Sequence, residues 1–174
     1  MRVLVAYATH YGATRGIAEK IAATLRAHDL EVDLHNVDEL GYLEGVDYDA
    51  YVIGSAIHAG GWIKDATEFV HSNLPVLAIR PVWLFSSGPI GDKAVAAPQP
   101  DPRQIAELRR SLDVQGHIVF GGAFDPKTAD MSRAGWLERQ VSTHLFPVGD
   151  YRNWEEIEQW AGAIAEELMS VVVS

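Results

Sequence analysis

Two hydrophobic periods alternate along this chain. Short, unbroken apolar runs are followed by stretches in which apolar residues recur every three or four positions. The first kind predicts buried strands and the second predicts helices with one buried face, so the sequence as a whole predicts a parallel α/β sheet. Val3-Leu4-Val5-Ala6-Tyr7, Ala50-Tyr51-Val52-Ile53-Gly54, Val82-Trp83-Leu84-Phe85 and His117-Ile118-Val119-Phe120 are the continuous runs. Glu31-Val32-Asp33-Leu34-His35 instead alternates strictly. Only a strand with one wet face tolerates that pattern, which puts it at an edge.

Helices are expected from about Thr14 to His28, Ile63 to Ser72, Arg103 to Leu112 and Trp154 to Ser170. Each carries an apolar stripe such as Ile17, Ile21 and Leu25 or Ile157, Ala161, Ile164 and Leu168. With the second strand at an edge, this order fits a doubly wound, five-stranded parallel sheet ordered 2-1-3-4-5. Residues 1–174 read as one domain, with no internal repeat and no linker. Two stretches exceed the minimum. Ala97-Pro98-Gln99-Pro100-Asp101-Pro102 is an irregular connector. Residues 125–150 form an inserted segment with an expected helix at about Ser132 to Leu145. The apolar stripe Trp136, Leu137, Val141, Leu145 and Phe146 there must pack on the parent domain, on a second copy in a homodimer, or at the mouth of a ligand site.

Composition narrows the function. At 48% hydrophobic and 22% charged, the 174 residues hold enough apolar material for a full core. The formal charge of −10 disfavours nucleic acid and anionic lipid as partners and suits a basic redox protein, or simple solubility. No stretch is long and apolar enough for an integral membrane segment, and the start lacks the organisation of a signal peptide, so a cytoplasmic location is expected. Without cysteine, thiol catalysis, disulfides and cysteine-held iron–sulfur clusters are excluded. The histidines show no ligand spacing, and no metal site is expected.

Ligands of doubly wound sheets sit at the carboxyl ends of the strands, where the strand order reverses. After the first strand comes Thr9-His10-Tyr11-Gly12-Ala13-Thr14, directly before a helix. Two hydroxyls, a turn glycine and the free amides of a first helical turn suit a phosphomonoester held by neutral donors. The plainer reading of Thr14 and Gly12 is a helix cap and its turn. Neither the Gly-Lys-Ser/Thr ending of a P-loop nor G-x-G-x-x-G is present. The loop after the third strand is Gly54-Ser55-Ala56-Ile57-His58-Ala59-Gly60-Gly61-Trp62, and after the fourth comes Ser86-Ser87-Gly88-Pro89-Ile90-Gly91-Asp92.

Thr-x-Tyr-Gly-x-Thr after a first strand resembles the phosphate loop of flavodoxins. The resemblance spans essentially the whole chain and implies a flavodoxin-like fold with FMN as cofactor. It implies that Thr9, His10, Tyr11, Gly12, Ala13 and Thr14 hold the 5′-phosphate, His10 and Tyr11 chiefly through their amides. It further implies that Ala56, Ile57, His58, Ala59, Gly60, Gly61 and Trp62 flank the flavin ring. Ser86, Ser87, Gly88, Pro89 and Gly91 would line its pyrimidine side, with Ser87 and Gly88 donating amides. Gly60-Gly61 would allow a peptide to rotate as the flavin changes redox state. Trp62 fits either the ring or ordinary core packing, whereas Trp83 fits core. His58 is either an ordinary solvent-facing loop histidine or an acid–base group. Pro89 and Ile90 replace the aromatic residue that often covers the ring in flavodoxins.

The Gly-Ser/Ala-x-Ile-x-x-Gly form of the second loop, together with the insertion, resembles bacterial menaquinone-dependent protoporphyrinogen oxidases. The expected function is an FMN-binding electron-transfer protein or oxidoreductase, working with a redox protein or a small-molecule donor or acceptor, a quinone among them. A quinone-linked protoporphyrinogen oxidase is the sharper alternative. A flavodoxin-fold binding or structural domain without flavin is the alternative from another class. A chemotaxis-type receiver is ruled out, since Gly54-Ser55 and Thr9-His10 stand where its aspartates are required.

Overall fold

The computed structural model describes residues 1–43, 45–91, 99–125 and 148–172. The expected helix at 132–145, its apolar stripe and Asp92 lie outside the described residues. The long parallel strands are β1 (Arg2–Ala8), β2 (Glu31–Asn36), β3 (Ala50–His58), β5 (Val82–Ser87) and β6 (Val114–Phe120). They run in the order β2-β1-β3-β5-β6, and a two-residue strand β4 (Gly61–Trp62) folds back antiparallel on β3. Counting the long strands alone, this is the 2-1-3-4-5 sheet that the sequence predicts. Among the described residues no helix is long and apolar enough to cross a membrane.

The unbroken apolar runs reflect a sheet covered on both faces. Side chains alternate along a strand. Val3, Val5 and Tyr7 of β1 therefore face one cluster, formed with α1 (Ala13–Ala27) and α5 (Trp154–Val172), while Leu4, Ala6 and Ala8 face the other. That second cluster packs under α2 (Lys64–Ser72), α3 (Leu74–Leu77) and α4 (Ile105–Ser111). β2 pairs only with β1, and Val32 is its one fully covered residue, as the alternation requires. Trp83 is core, at 4% exposure.

Two departures have local causes. The helix expected over 63–72 is followed by the extra turn α3, because Pro75 lacks the amide needed to continue α2. The buried Asn73 fills the break. Its Nδ2 donates to the Phe69 carbonyl at 2.9 Å, and its Oδ1 accepts from the Leu43 amide at 2.7 Å. β6 begins at Val114, ahead of the apolar run, because Val82 pairs with Val114 and Trp83 with Gly116, skipping Gln115. The bulge brings Gly116 beside Trp83, whose ring would be in ordinary contact, at 3.5 Å, with a Cβ there.

Candidate cofactor site

A cavity of about 590 Å³ opens at the carboxyl ends of β1, β3, β5 and β6. Thr9, His10, Tyr11, Ala13 and Thr14 line it from the first loop, and Ala56, Ile57, His58, Ala59 and Gly60 from the second. Ser87, Gly88 and Pro89 line it from the third. Thirteen of the eighteen expected residues therefore meet in one place, although the three loops are far apart in sequence.

The first loop is shaped by Gly12, which caps α1 with a left-handed φ of 92°. The Thr9 hydroxyl accepts the Gly12 amide at 2.9 Å and closes the turn. No side chain caps the helix, and no acidic residue lies in its first turn. The amides of Ala13, Thr14 and Arg15 precede the first intrahelical bond, which Gly16 donates to the Gly12 carbonyl at 3.3 Å. Thr14 Oγ1 is fully buried and has no hydrogen-bond partner, the one such side-chain atom among the described residues. A buried hydroxyl left this way costs about 1–3 kcal/mol. Thr14 itself is among the residues that line the cavity.

The second loop is a two-residue hairpin. His58 pairs with Gly61 and Ile57 with Trp62, while Ala59 and Gly60 take left-handed φ values of 49° and 76°. Positive φ at both central positions is the pattern of a type I′ turn. The left-handed φ values thus fall on Ala59 and Gly60, and Gly61 lies in β4, where a Cβ would come within 2.9 Å of the tip of the Gln104 side chain.

Gly12, Gly61, Trp62, Ser86 and Gly91 do not line the cavity. Trp62 is 4% exposed and belongs to the core beneath α2 and α4, so core packing is the reading that describes it. Its indole Nε1–H donates to Ser86 Oγ at 2.8 Å, which fixes both residues inward. The Gly88 amide, expected to serve a ligand, donates to the Phe120 carbonyl at 2.8 Å. The third loop is held so close to β6 that a Gly122 Cβ would lie 2.5 Å from the Gly88 carbonyl oxygen.

The structure adds residues to the wall that the sequence reading left out. Ile63, Gln99, Pro100, Asp101 and Pro102 contribute, and so do Gly122, Ala123 and Phe124 beyond the end of β6. Phe124 meets Tyr11 edge-on at 5.5 Å, and His10 lies 6.1 Å from His58. Applying the carboxyl-end rule to the fifth long strand would have found 122–124. Arg152, 139 residues from Ala13 along the chain, lies outside this wall but contacts the first loop. Its NH1 donates to the Ala13 carbonyl at 3.4 Å, and its guanidinium lies 4.4 Å over the Trp154 ring. Asp150 accepts its Nε at 2.8 Å and its NH2 at 2.6 Å, contacts that hold the Asp150 carboxyl below the usual carboxylate range. Among the described residues no cluster of His, Asp and Glu is arranged to hold a metal ion.

A family model described as a flavodoxin domain matches residues 4–146. The quinone-type protoporphyrinogen IX dehydrogenase of Escherichia coli K12 is 30% identical over 86 residues, 49% of this chain and 48% of that protein. The match thus spans about half the length of the curated relative. Among solved structures, flavodoxin 2 of Bacillus cereus superposes with a TM-score of 0.63 at 23% identity, covering 96% of this chain and 99% of that one. Rubredoxin:oxygen oxidoreductase of Desulfovibrio gigas gives 0.67 at 15% identity, covering 99% of this chain and 37% of that one. With the sheet order, the cavity position and the family match in agreement, this chain belongs to the flavodoxin domain family.

Proposed function

We propose that this chain binds FMN in the 590 Å³ cavity and serves as an FMN-dependent oxidoreductase. The observation that carries this reading is the buried, unpartnered Thr14 hydroxyl in the first turn of an uncapped helix. A terminal phosphate supplies the acceptor oxygens that this hydroxyl and the first-turn amides lack. The helix end contributes about half a positive charge, so neutral donors suffice. In this reading Ala13 and Thr14 bind the phosphate through amides and hydroxyl, while Thr9 holds the turn. Ala56 to Gly60 lie along one side of the ring and Ser87 to Pro89 along another. Ile57, Pro89, Ile90 and Phe124 exclude water, which strengthens every polar contact inside. FMN, once bound, supplies the redox chemistry itself.

A quinone is the proposed electron acceptor, and a protoporphyrinogen-type tetrapyrrole the proposed donor. The name of the Escherichia coli relative supports both over the half of the chain that it matches. The mainly apolar cavity wall, with Tyr11, Phe124, Pro100 and Pro102, suits flat apolar partners of this kind.

The test begins with FMN titration of the purified protein. Stoichiometric binding that collapses in Thr9→Ala/Thr14→Ala supports the site. A protein that ignores FMN, or a double variant with unchanged affinity, overturns it. Anaerobic mixing of the loaded protein with porphyrinogens and quinones then decides the partners. Oxidation of a porphyrinogen with matching quinone reduction is expected, and inertness toward both retires the finer proposal.

A further inference from the structure

Behind the cavity wall runs a chain of hydrogen bonds that the cofactor reading does not use. Trp62 Nε1 lies 2.8 Å from Ser86 Oγ, which lies 2.8 Å from His117 Nε2. His117 Nδ1 lies 2.9 Å from Asp101 Oδ1. The chemistry of the partners fixes the direction of each bond. Indole can only donate, so Ser86 accepts there, and a carboxylate can only accept, so His117 Nδ1 carries the proton. His117 Nε2 then accepts the Ser86 hydroxyl. With a neutral imidazole, every donor and acceptor in the chain is matched.

The chain also closes on itself. Trp62 donates its main-chain amide to Gln104 Oε1 at 3.0 Å, and the Arg103 amide donates to the Gly60 carbonyl at 3.3 Å. Asp101 to Gln104 therefore grips the β3–β4 hairpin on one side and His117 on the other. Two members of that segment, Asp101 and Pro102, line the cavity, as do Ala59 and Gly60 of the gripped turn. The His117 side chain is fully buried, whereas that of Asp101 is 54% exposed.

We propose that His117 is a positioning residue that latches the 101–104 wall segment, and through it the Ala59-Gly60 turn, onto the ends of β5 and β6. The order Ser86–His117–Asp101 matches the hydrogen-bond order of acyl-transfer triads. Ser86 is 0% exposed, however, and the Trp62 indole occupies one of its lone pairs, so it has no access to a substrate carbonyl. Protonation would undo the latch from inside. His117 Nε2 would become a donor facing Ser86 Oγ, and the serine proton would lose its acceptor. Asp101 on the connector favours that protonation. Burial opposes it, as does Arg109 on α4, which lies 3.9 Å from Asp101.

The role of the latch at the cofactor rests on the FMN reading, but the latch itself does not. Asp101→Ala cuts it at its exposed end, and Asp101→Asn keeps an acceptor oxygen. Hydrogen exchange at the Arg103 amide of the flavin-free protein, which donates to the Gly60 carbonyl, is expected to rise about tenfold in Asp101→Ala, the effect of losing a hydrogen bond to a charged group. It is expected to return to within about twofold of wild type in Asp101→Asn, while β1 exchange stays unchanged in both. His117→Gln is expected to loosen the same amide. Unchanged exchange in Asp101→Ala, or an Asp101→Asn as loose as the alanine variant, overturns the proposal. A wild-type chain that ignores FMN while Asp101→Ala still frees the segment retires the cofactor reading and supports the latch.

Discussion

The ring of Phe85 lies on the bare backbone of Gly54, its partner across the β3–β5 ladder. A Cβ at position 54 would stand 2.0 Å from the ring. Phe85 also meets Phe120 and Trp160 at 6.3 Å each, so it has nowhere to go. Gly54→Ala is therefore expected to cost about 1–3 kcal/mol or more through overpacking. Gly41→Ala, where the new methyl meets nothing within 4 Å, should stay within about 0.5 kcal/mol. Urea denaturation of both variants measures the contrast.

Thr14→Val should move stability and cofactor binding in opposite directions. The substitution keeps the shape and removes a buried hydroxyl that has no partner. The flavin-free protein should be unchanged or gain up to about 1–3 kcal/mol. FMN affinity should fall about tenfold, the equivalent of 1.4 kcal/mol for one lost hydrogen bond to an anion. A valine variant that loses both stability and affinity would mean that the hydroxyl serves the fold.

His117 sets an acid limit on stability. Burial pushes its pKa below the ordinary 6.5, against the pull of Asp101. The unfolded chain then binds the proton more readily than the folded one. Stability should be flat above about pH 6.5 and decline as pH falls below it, until the folded imidazole is also protonated. Asp33 and Asp150 are held low by their partners, so their losses come only at more acid pH. Melting temperatures between pH 7 and pH 5 should fall for wild type and stay flatter for His117→Gln.

At the alkaline end burial raises the hydroxyl pKa of Tyr7, Tyr51 and Tyr48, and a carboxylate raises the last of them further. Burial and the hydrogen bond to Asp33, 2.8 Å away, push the Tyr48 hydroxyl up to about 12. The stability that depends on the neutral phenol is present below the ordinary value of 10.0 and is lost as pH rises through about 12. Tyr48→Phe should lose the Asp33 contact at neutral pH and show a shallower alkaline limb in pH-dependent denaturation.

The hairpin turn offers a paired test. Ala59 carries a Cβ at positive φ, a conformation that costs about 1–2 kcal/mol. Ala59→Gly relieves that strain at an entropic cost of about 0.4–1 kcal/mol, for a net gain of up to about 1.6 kcal/mol. Gly60→Ala introduces the same strain one residue later and should destabilise by about 1–2 kcal/mol. Equal stabilities for the two variants would contradict the left-handed pair.

Much of the fold and the three main loops were legible because their signals are local. Val3 to Tyr7 reads as a buried strand from its own composition, and Gly12 before a helix reads as a turn. The sheet order followed from one alternating segment at Glu31 to His35. What stayed hidden depends on partners remote in sequence. Nothing near His117 announces Ser86 or Asp101, and nothing near Arg152 announces Ala13. An aromatic residue at a helix start suits a ring or a core, and the burial of Trp62 and its Ser86 contact separate the two. Gly61 carries no local sign of its place in β4, since a glycine gives the same letter in a turn and in a strand.

The short strands β7 (Ala123–Phe124) and β8 (Gly149–Asp150) pair antiparallel beside the cavity. The backbone that departs after Phe124 therefore returns one ladder spacing away, about 4.8 Å. This ladder fixes the points at which the chain leaves and rejoins the cavity rim, so Phe124 keeps its place against Tyr11 through main-chain bonds to Gly149.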